Sequence, residues 1–244
     1  MEKGLCPSQW RAGESDLSKD YGDAKVYLVE RIGPYCSYCE LFIGLGANRA
    51  IEHKIAKAYR PSLRNTWTNL LISCTMCNSH KTQFDGKPPS NAKPGRDFDL
   101  DAFLWPDRDN TMLAFEYREN GDIDADTSHP ANVLAKAQNT IGMFRFNQED
   151  SKSDTRKALR RAIWHTAKRH LNNVEKARQN GANWDDILTD LLDIAKHRGF
   201  WTVWMVVFQD HPEVLKALIE GFAGTASSCF DEQGRPLKRE GGRI

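Results

Sequence analysis

The sequence lacks a long apolar run and a clear excess of charge. No stretch of roughly 18 apolar residues, the length of a membrane-spanning helix, occurs in the 244 residues. The first residues, MEKGLCPSQWRAGESD, lack the apolar core of a secretory signal. We therefore expect a cytoplasmic protein with no membrane partner. The formal net charge of +1 does not indicate a nucleic-acid-binding protein, but it is compatible with a local basic patch.

The sequence also lacks an internal repeat and a Gly-x-x-x-x-Gly-Lys-Ser/Thr phosphate loop, so any control by ATP must come from a partner. Of its six cysteines, Cys6 and Cys229 have no close partner in sequence, and the other four form two Cys-x-x-Cys pairs. Disulfides are rare in a reducing compartment, and paired cysteines there more often bind a metal.

Each pair, Cys36–Cys39 and Cys74–Cys77, places two sulfurs on one tight turn. Two such turns can complete a tetrahedron around Zn²⁺ at roughly 2.3 Å. Buried free cysteines remain an alternative, and a redox role fits poorly with two pairs. The linking segment from Glu40 to Ser73 is about twice the roughly 15 to 20 residues of a zinc ribbon, so an insertion separates the pairs.

Candidate catalytic residues lie in and just after this insertion. A neutral histidine such as His53 suits the general base of phosphodiester hydrolysis near pH 7. The leaving oxygen needs positive charge, which a divalent ion can supply, and Mg²⁺ prefers oxygen ligands such as a carboxylate, here that of Glu52, and an amide oxygen. Neighbouring residues of a strand point to opposite faces, so Glu52 and His53 must still converge on one phosphate. Taken singly, each residue also fits an ordinary surface position.

The segments YCSYCE, IEHK, WTNLLISC and CNSHK, within residues 35–81, together resemble the HNH endonuclease family and its ββα-metal fold. The resemblance implies His53 as general base, and Glu52 and Asn78 as ligands of the catalytic ion. Asn69 would orient the histidine and brace the hairpin. Glu52 replaces the more frequent Asp, and Asn78 replaces a His, which weakens affinity for softer metals.

Two further residues of this region keep open interpretations. Lys81 is either a phosphate contact or a helix-surface lysine, and His80 is an alternative metal ligand.

The remaining pattern predicts an α+β fold, in which a zinc-stapled ββα-metal HNH module precedes a mainly α-helical region. We divide the chain into an entry segment (1–30), the module (31–90), short strands and a loop (91–130) and a helical region suited to partner docking (131–244). The more local predictions are a helix around 20–30, a loop at 87–97, strands at 103–105 and 112–117, a hairpin turn at 119–122, helices at 131–144, 154–179, 184–197, 201–208 and 213–222, and an irregular tail at 223–244.

A run of basic residues without acids lies in the longest predicted helix. It predicts either a basic face that follows a phosphate backbone or an ordinary solvated face. Its members are Arg156, Lys157, Arg160, Arg161, Lys168 and Arg169.

The order of segments along the chain resembles the HNH subunit of Septu-type anti-phage defence systems, which also occur with some retrons. The segments are the HNH motif, Asn139-Thr140-Ile141, Phe146-Asn147, TASSCFD at 225–231, Gly234 and Arg239. The resemblance implies a DNA substrate and a separate AAA-type ATPase subunit. Two alternatives stay open: a free-standing, restriction-like HNH endonuclease, and a zinc-dependent module that binds nucleic acid or protein without cutting.

Overall fold

The computed structural model describes residues 1, 21–44, 49–85, 99–149, 151–181 and 183–244. The predicted loop at 87–97 and most of the entry segment lie outside these ranges, as does Cys6. The division into four regions remains a prediction. A 3-10 turn at Tyr21–Asp23 leads into helix α1, Ala24–Ile32, which confirms the helix predicted around 20–30.

The region of the two cysteine pairs contains a β-hairpin followed by a helix. Strand β1 (Arg49–His53) pairs antiparallel with β2 (Leu70–Cys74), and helix α2 (Thr75–Asp85) begins at the next residue. Every residue of β2 is buried, because β1, α1 and α2 all pack against this strand. This ββα arrangement and the helices that follow confirm the predicted α+β class.

The stretch from 99 to 125 departs from the prediction. Residues 103–105 form no strand: they follow a 3-10 turn, Leu100–Ala102, and the Asp109 carboxylate accepts the Trp105 backbone N–H at 2.9 Å in place of a strand partner. Residues 112–117 are only half strand, since the one-turn helix α3, Thr111–Ala114, precedes β3, Phe115–Tyr117. Strand β3 pairs with β4, Ile123–Ala125, across the predicted hairpin turn.

The helical region agrees with the sequence pattern to within one or two residues. Helix α7 is buried on most sides, as its continuous apolar sequence predicts. Residues 223–244 are irregular apart from the 3-10 turn Ser227–Cys229, yet they pack closely, and the carbonyl of the buried Ile244 accepts the Asn110 N–H. The helices are α4 (Ala131–Phe144), α5 (Arg156–Gln179), α6 (Trp184–Arg198), α7 (Trp201–Val207) and α8 (Pro212–Gly221). Over the described ranges, no helix has the length and apolar character needed to cross a bilayer.

The basic run on α5 is not a surface feature throughout. Both sequence interpretations are wrong for Arg156 and Arg160, which are buried. Arg160 donates to the Gly121 carbonyl at 2.6 Å and the Phe146 carbonyl at 2.7 Å, so it supplies donors to two backbone carbonyls in the interior. Lys157 pairs with two carboxylates, and the exposed members of the run are Arg161, Lys168 and Arg169.

Two hydrophobic cores meet at the first cysteine pair. Residues of α1, the ββα unit, the β3–β4 hairpin and α4 form one core, and residues of α5 to α8 form the other. Glu40, which follows Cys39, joins them: its carboxylate accepts the Thr202 N–H at 2.8 Å, and its carbonyl accepts the Phe200 N–H at 2.9 Å. A Cβ at Gly199 would lie 2.6 Å from the Glu40 oxygen, so only glycine permits this close approach.

Candidate active site and metal centre

The four cysteines of the two pairs lie together in the interior. Their sulfur atoms all lie within 4.8 Å of one another, and the Sγ atoms of Cys39 and Cys74 are 3.8 Å apart. A tetrahedral zinc site with Zn–S bonds of roughly 2.3 Å requires sulfur atoms about 3.8 Å apart. Cys229 is also buried but does not belong to this group. The cluster therefore has the donors and the spacing for a Zn²⁺ ion.

Local structure explains why the four sulfurs converge. The Ser37 N–H donates to the Ile72 carbonyl, which fixes the first Cys-x-x-Cys turn against β2. Cys74 ends β2, Cys77 lies in the first turn of α2, and the Cys77 N–H points to the Cys74 sulfur at 3.4 Å.

The cysteine thiols differ in their pKa values because of burial and mutual hydrogen bonding. Hydrogen bonds from the neighbouring thiols of Cys36 and Cys39 lower the pKa of Cys74, whereas burial raises the pKa of Cys77. The raised pKa of Cys77 means that this thiol keeps its proton in the absence of a cation, so zinc binding would release protons.

His53, the last residue of β1, is oriented by a backbone carbonyl. Its Nε2–H donates to the Arg64 carbonyl at 2.9 Å, and because a carbonyl only accepts, the proton resides on Nε2 and the lone pair on Nδ1. Among the described residues, none forms a hydrogen bond with Nδ1. Burial lowers the pKa of His53 below 6.5, against the opposing effects of the Arg64 carbonyl and the Glu52 charge. The imidazole is therefore neutral at pH 7.

Asn69 closes the long connection between β1 and β2. Its Oδ1 accepts the Ile55 N–H at 2.8 Å, and its Nδ2 donates to the Ile55 carbonyl at 3.0 Å and the Leu63 carbonyl at 3.2 Å. Leu63 directly precedes Arg64, so Asn69 holds the backbone that carries the carbonyl facing His53. The amide thus acts on the histidine through the chain and not by direct contact.

Glu52 faces the opposite side of β1 from His53. Glu52 is 3% exposed, and its carboxylate accepts the Tyr38 hydroxyl and lies 3.1 Å from the ammonium of Lys81, a residue that is itself 2% exposed. Lys54 points to the same side and pairs with Asp107 at 2.8 Å. The predicted metal ligand therefore belongs to a buried, charge-balanced cluster between β1 and α2.

Asn78 lies on the face of α2 that carries Lys81, because residues three apart on a helix are neighbours. No hydrogen bond or ion pair of the described residues directly joins Glu52, His53 and Asn78. The oxygens of Glu52 and Asn78 suit Mg²⁺ or Mn²⁺. The Lys81 ammonium is a cation that already contacts the Glu52 carboxylate, so a divalent ion bound by Glu52 would share this carboxylate with Lys81.

Sequence reasoning missed several contacts of this site. The helix-surface interpretation of Lys81 is wrong, because the lysine is buried against Glu52. His80 faces elsewhere and pairs with Asp154 at 3.2 Å. Tyr38 carried a weak signal, since it lies inside a Cys-x-x-Cys pair. Asp107 and Arg156 carried none as members of this site, because Lys54 and the Cys77 sulfur, to which they respectively bind, lie far away in sequence.

Comparison with known proteins supports the same region. A family model described as HNH endonuclease matches residues 36–84, a fifth of the chain, which includes both cysteine pairs, the hairpin and nearly all of α2. No curated protein matches the chain. The match identifies residues 36–84 as an HNH endonuclease domain, and such a domain supports metal-dependent nuclease activity on a nucleic acid.

Proposed function

We propose that this protein is an HNH endonuclease that hydrolyses phosphodiester bonds in DNA, with His53 as the general base. The observation that supports it most is the orientation of His53 within the matched domain. A buried imidazole whose Nε2–H is bound to the Arg64 carbonyl keeps its Nδ1 lone pair for a proton acceptor role. His129 shows the same tautomer, and His53 differs from it by its place at the end of β1 within the matched domain.

In the proposed reaction, Nδ1 of His53 takes a proton from a water molecule while the water oxygen attacks phosphorus. The new P–O bond forms as the bond to the leaving 3′ oxygen breaks, and that oxygen leaves with a proton from solvent. The Arg64 carbonyl and the Glu52 charge stabilise the resulting imidazolium. When bound by Glu52 and Asn78, Mg²⁺ or Mn²⁺ supplies Lewis-acid stabilisation of the phosphate and the leaving oxygen.

The connection beside His53 supports a nucleic-acid substrate. Residues 54–69 contain four basic residues and no acidic one. Lys54 is buried in its pair with Asp107, whereas Lys57 is exposed and lies 4.1 Å from the centre of the Tyr21 ring. Tyr21 in turn contacts the His53 ring edge-on at 4.8 Å between centroids. A phosphate backbone passing Lys57 would therefore reach the histidine.

The test is nicking of supercoiled plasmid DNA with Mg²⁺ or Mn²⁺. His53→Ala should lower the rate by about two to four orders of magnitude, as expected for loss of a general base, while zinc content stays unchanged. His129→Ala is the matched control, because His129 also donates to a backbone carbonyl, that of Leu113 at 2.7 Å, but lies outside the matched domain. Undiminished nicking by His53→Ala, or loss of its zinc, would contradict the assigned role.

We further propose that the enzyme is the nuclease subunit of an ATPase-associated anti-phage defence complex. The support is the order of sequence segments that resembles Septu-type HNH subunits, together with the lack of a phosphate loop in the sequence. Co-expression with an AAA-type ATPase from the same genome should give a stable complex whose DNA cleavage responds to ATP. Full cleavage by the isolated chain, unchanged by ATPase and ATP, would instead favour the free-standing enzyme.

A further inference from the structure

Arg156, at the start of α5, reaches the cysteine cluster from the helical region. Arg156 is 3% exposed, and its Nη1 donates to the Cys77 sulfur at 3.1 Å across a sequence separation of 79 residues. Its Nε and Nη2 donate to the two oxygens of Asp154 at 2.9 and 2.7 Å. Nη2 also donates to the Phe144 carbonyl at the end of α4, at 3.0 Å. The orientation of the guanidinium is therefore fixed from three directions.

This contact suits a metal-bound sulfur. Four thiolates around Zn²⁺ carry two net negative charges, and in a buried site that charge needs nearby hydrogen-bond donors. A guanidinium N–H is a charged donor that cannot be lost by deprotonation in the physiological range. Of the described residues, Arg156 is the one whose side-chain N–H donates to a sulfur of the cluster.

The same residues extend the contact into α2. Asp154 lies between Arg156 and His80, whose Nε2 is 3.2 Å from Asp154 Oδ2. Helix α2 is thus bound to α5 through both the Cys77 sulfur and His80. We propose that Arg156 is a positioning residue of the metal centre: it stabilises the zinc-bound Cys77 sulfur, and it makes retention of zinc depend on the docking of α5. This rests on metal binding by the four cysteines and not on nuclease activity.

The chain offers a matched control. Arg160 lies one turn further along α5, is 1% exposed and also donates to buried backbone carbonyls, but it does not donate to sulfur. Arg156→Gln and Arg160→Gln each remove a buried guanidinium from the same helix. Only the first removes an N–H···S bond.

The experiment measures zinc release to a chromogenic chelator and the sulfur-to-metal charge-transfer bands of Co²⁺-substituted full-length protein. Arg156→Gln should lower zinc affinity by about 10- to 100-fold and shift the charge-transfer bands, and Arg156→Lys should recover part of both. Arg160→Gln should lower thermal stability without changing either readout. Equal zinc loss in both glutamine variants, or unshifted bands in Arg156→Gln, would overturn the proposal.

A measurement on the wild-type protein covers the case in which the Arg156 variants do not fold. In protein loaded with ¹¹³Cd²⁺, a hydrogen bond to a metal-bound sulfur transmits scalar coupling from the guanidinium proton to the metal. We expect such coupling from an Arg156 Nη proton. Absence of the coupling, or failure of the purified chain to bind any metal, would refute the inference, whatever the outcome of the plasmid assay.

Discussion

The HNH domain and the helical core are stabilised in different ways. The domain buries many polar residues between positions 36 and 81, whereas the core of α6 to α8 is almost entirely apolar. Among the described residues of these three helices, Thr202 alone is both polar and buried. The buried polar residues of the domain are Ser37, Glu52, His53, Lys54, Asn69, Ser73, His80 and Lys81.

The difference teaches where each region obtains its stability. Apolar side chains stabilise the helical core by leaving water, at about 25 cal/mol per Å². Buried charges cost free energy unless they are paired, so the domain depends on its ion pairs, and a metal held by the four cysteines would help to organise the chain. The helical core is suited to be a scaffold, and the HNH domain holds reactive groups in a fixed arrangement.

Loss of zinc should produce the largest difference in stability between the HNH domain and the helical core. Binding of a structural zinc is worth about 10 kcal/mol or more, so Cys77→Ser should release the ion and unfold the surrounding residues. Hydrogen exchange should rise across 36–85 and change little in α7 and α8. Cys229→Ser is the control, since Cys229 is buried outside the cluster. Equal exchange in both regions would show that they unfold as one unit.

The opposite disturbance is a cavity in the helical core. Trp204 is fully buried in α7, and Trp204→Ala should lower the free energy of unfolding by about 3 to 5 kcal/mol. Zinc affinity of the folded protein should stay unchanged, as measured by chelator competition. Leu237→Ala, at a side chain 45% exposed, should change stability by less than about 0.5 kcal/mol. A weakened zinc site in Trp204→Ala would contradict the separation.

The Glu52–Lys81 pair tests how the domain balances its charges. Lys81→Met leaves the Glu52 carboxylate buried without that cation and should cost about 3 kcal/mol, part of which Glu52→Gln should restore in the double variant. Added Mg²⁺ should raise the melting temperature of Lys81→Met more than that of the double variant. Equal Mg²⁺ effects on the two would argue against an ion at Glu52.

The smallest expected effect is the dependence of cleavage on pH. Burial lowers the pKa of His53 below 6.5, so the base form predominates at pH 6.5 and above. Activity should therefore be constant there and fall by about tenfold per pH unit only below the lowered pKa. Initial nicking rates across pH 5 to 8 measure this, and an inflection above pH 6.5 would contradict it.

The sequence predicted the regular elements well and the tertiary contacts poorly. The Cys-x-x-Cys spacing alone predicted that Cys36, Cys39, Cys74 and Cys77 lie together, because each pair forms a local turn. Helical periodicity located α4 and α5, since an amphipathic pattern repeats within one element.

Pairings across elements left no such pattern. Lys81 and Arg156 carry charges that normally lie on the surface, and only the folded chain supplies Glu52 and the Cys77 sulfur as their partners. The strand predicted at 103–105 failed for a different, local reason: the Asp109 carboxylate, four residues further on, accepts the Trp105 N–H.

The carbonyl that orients His53 has a consequence for mutational tolerance. It belongs to the main chain of Arg64, so exchanging the side chain at position 64 leaves the acceptor in place. Natural variation in residue type there is compatible with an intact imidazole tautomer. Insertion or deletion between positions 54 and 69 would instead displace the acceptor, so selection should act more strongly on the length of this connection than on the residue type at position 64.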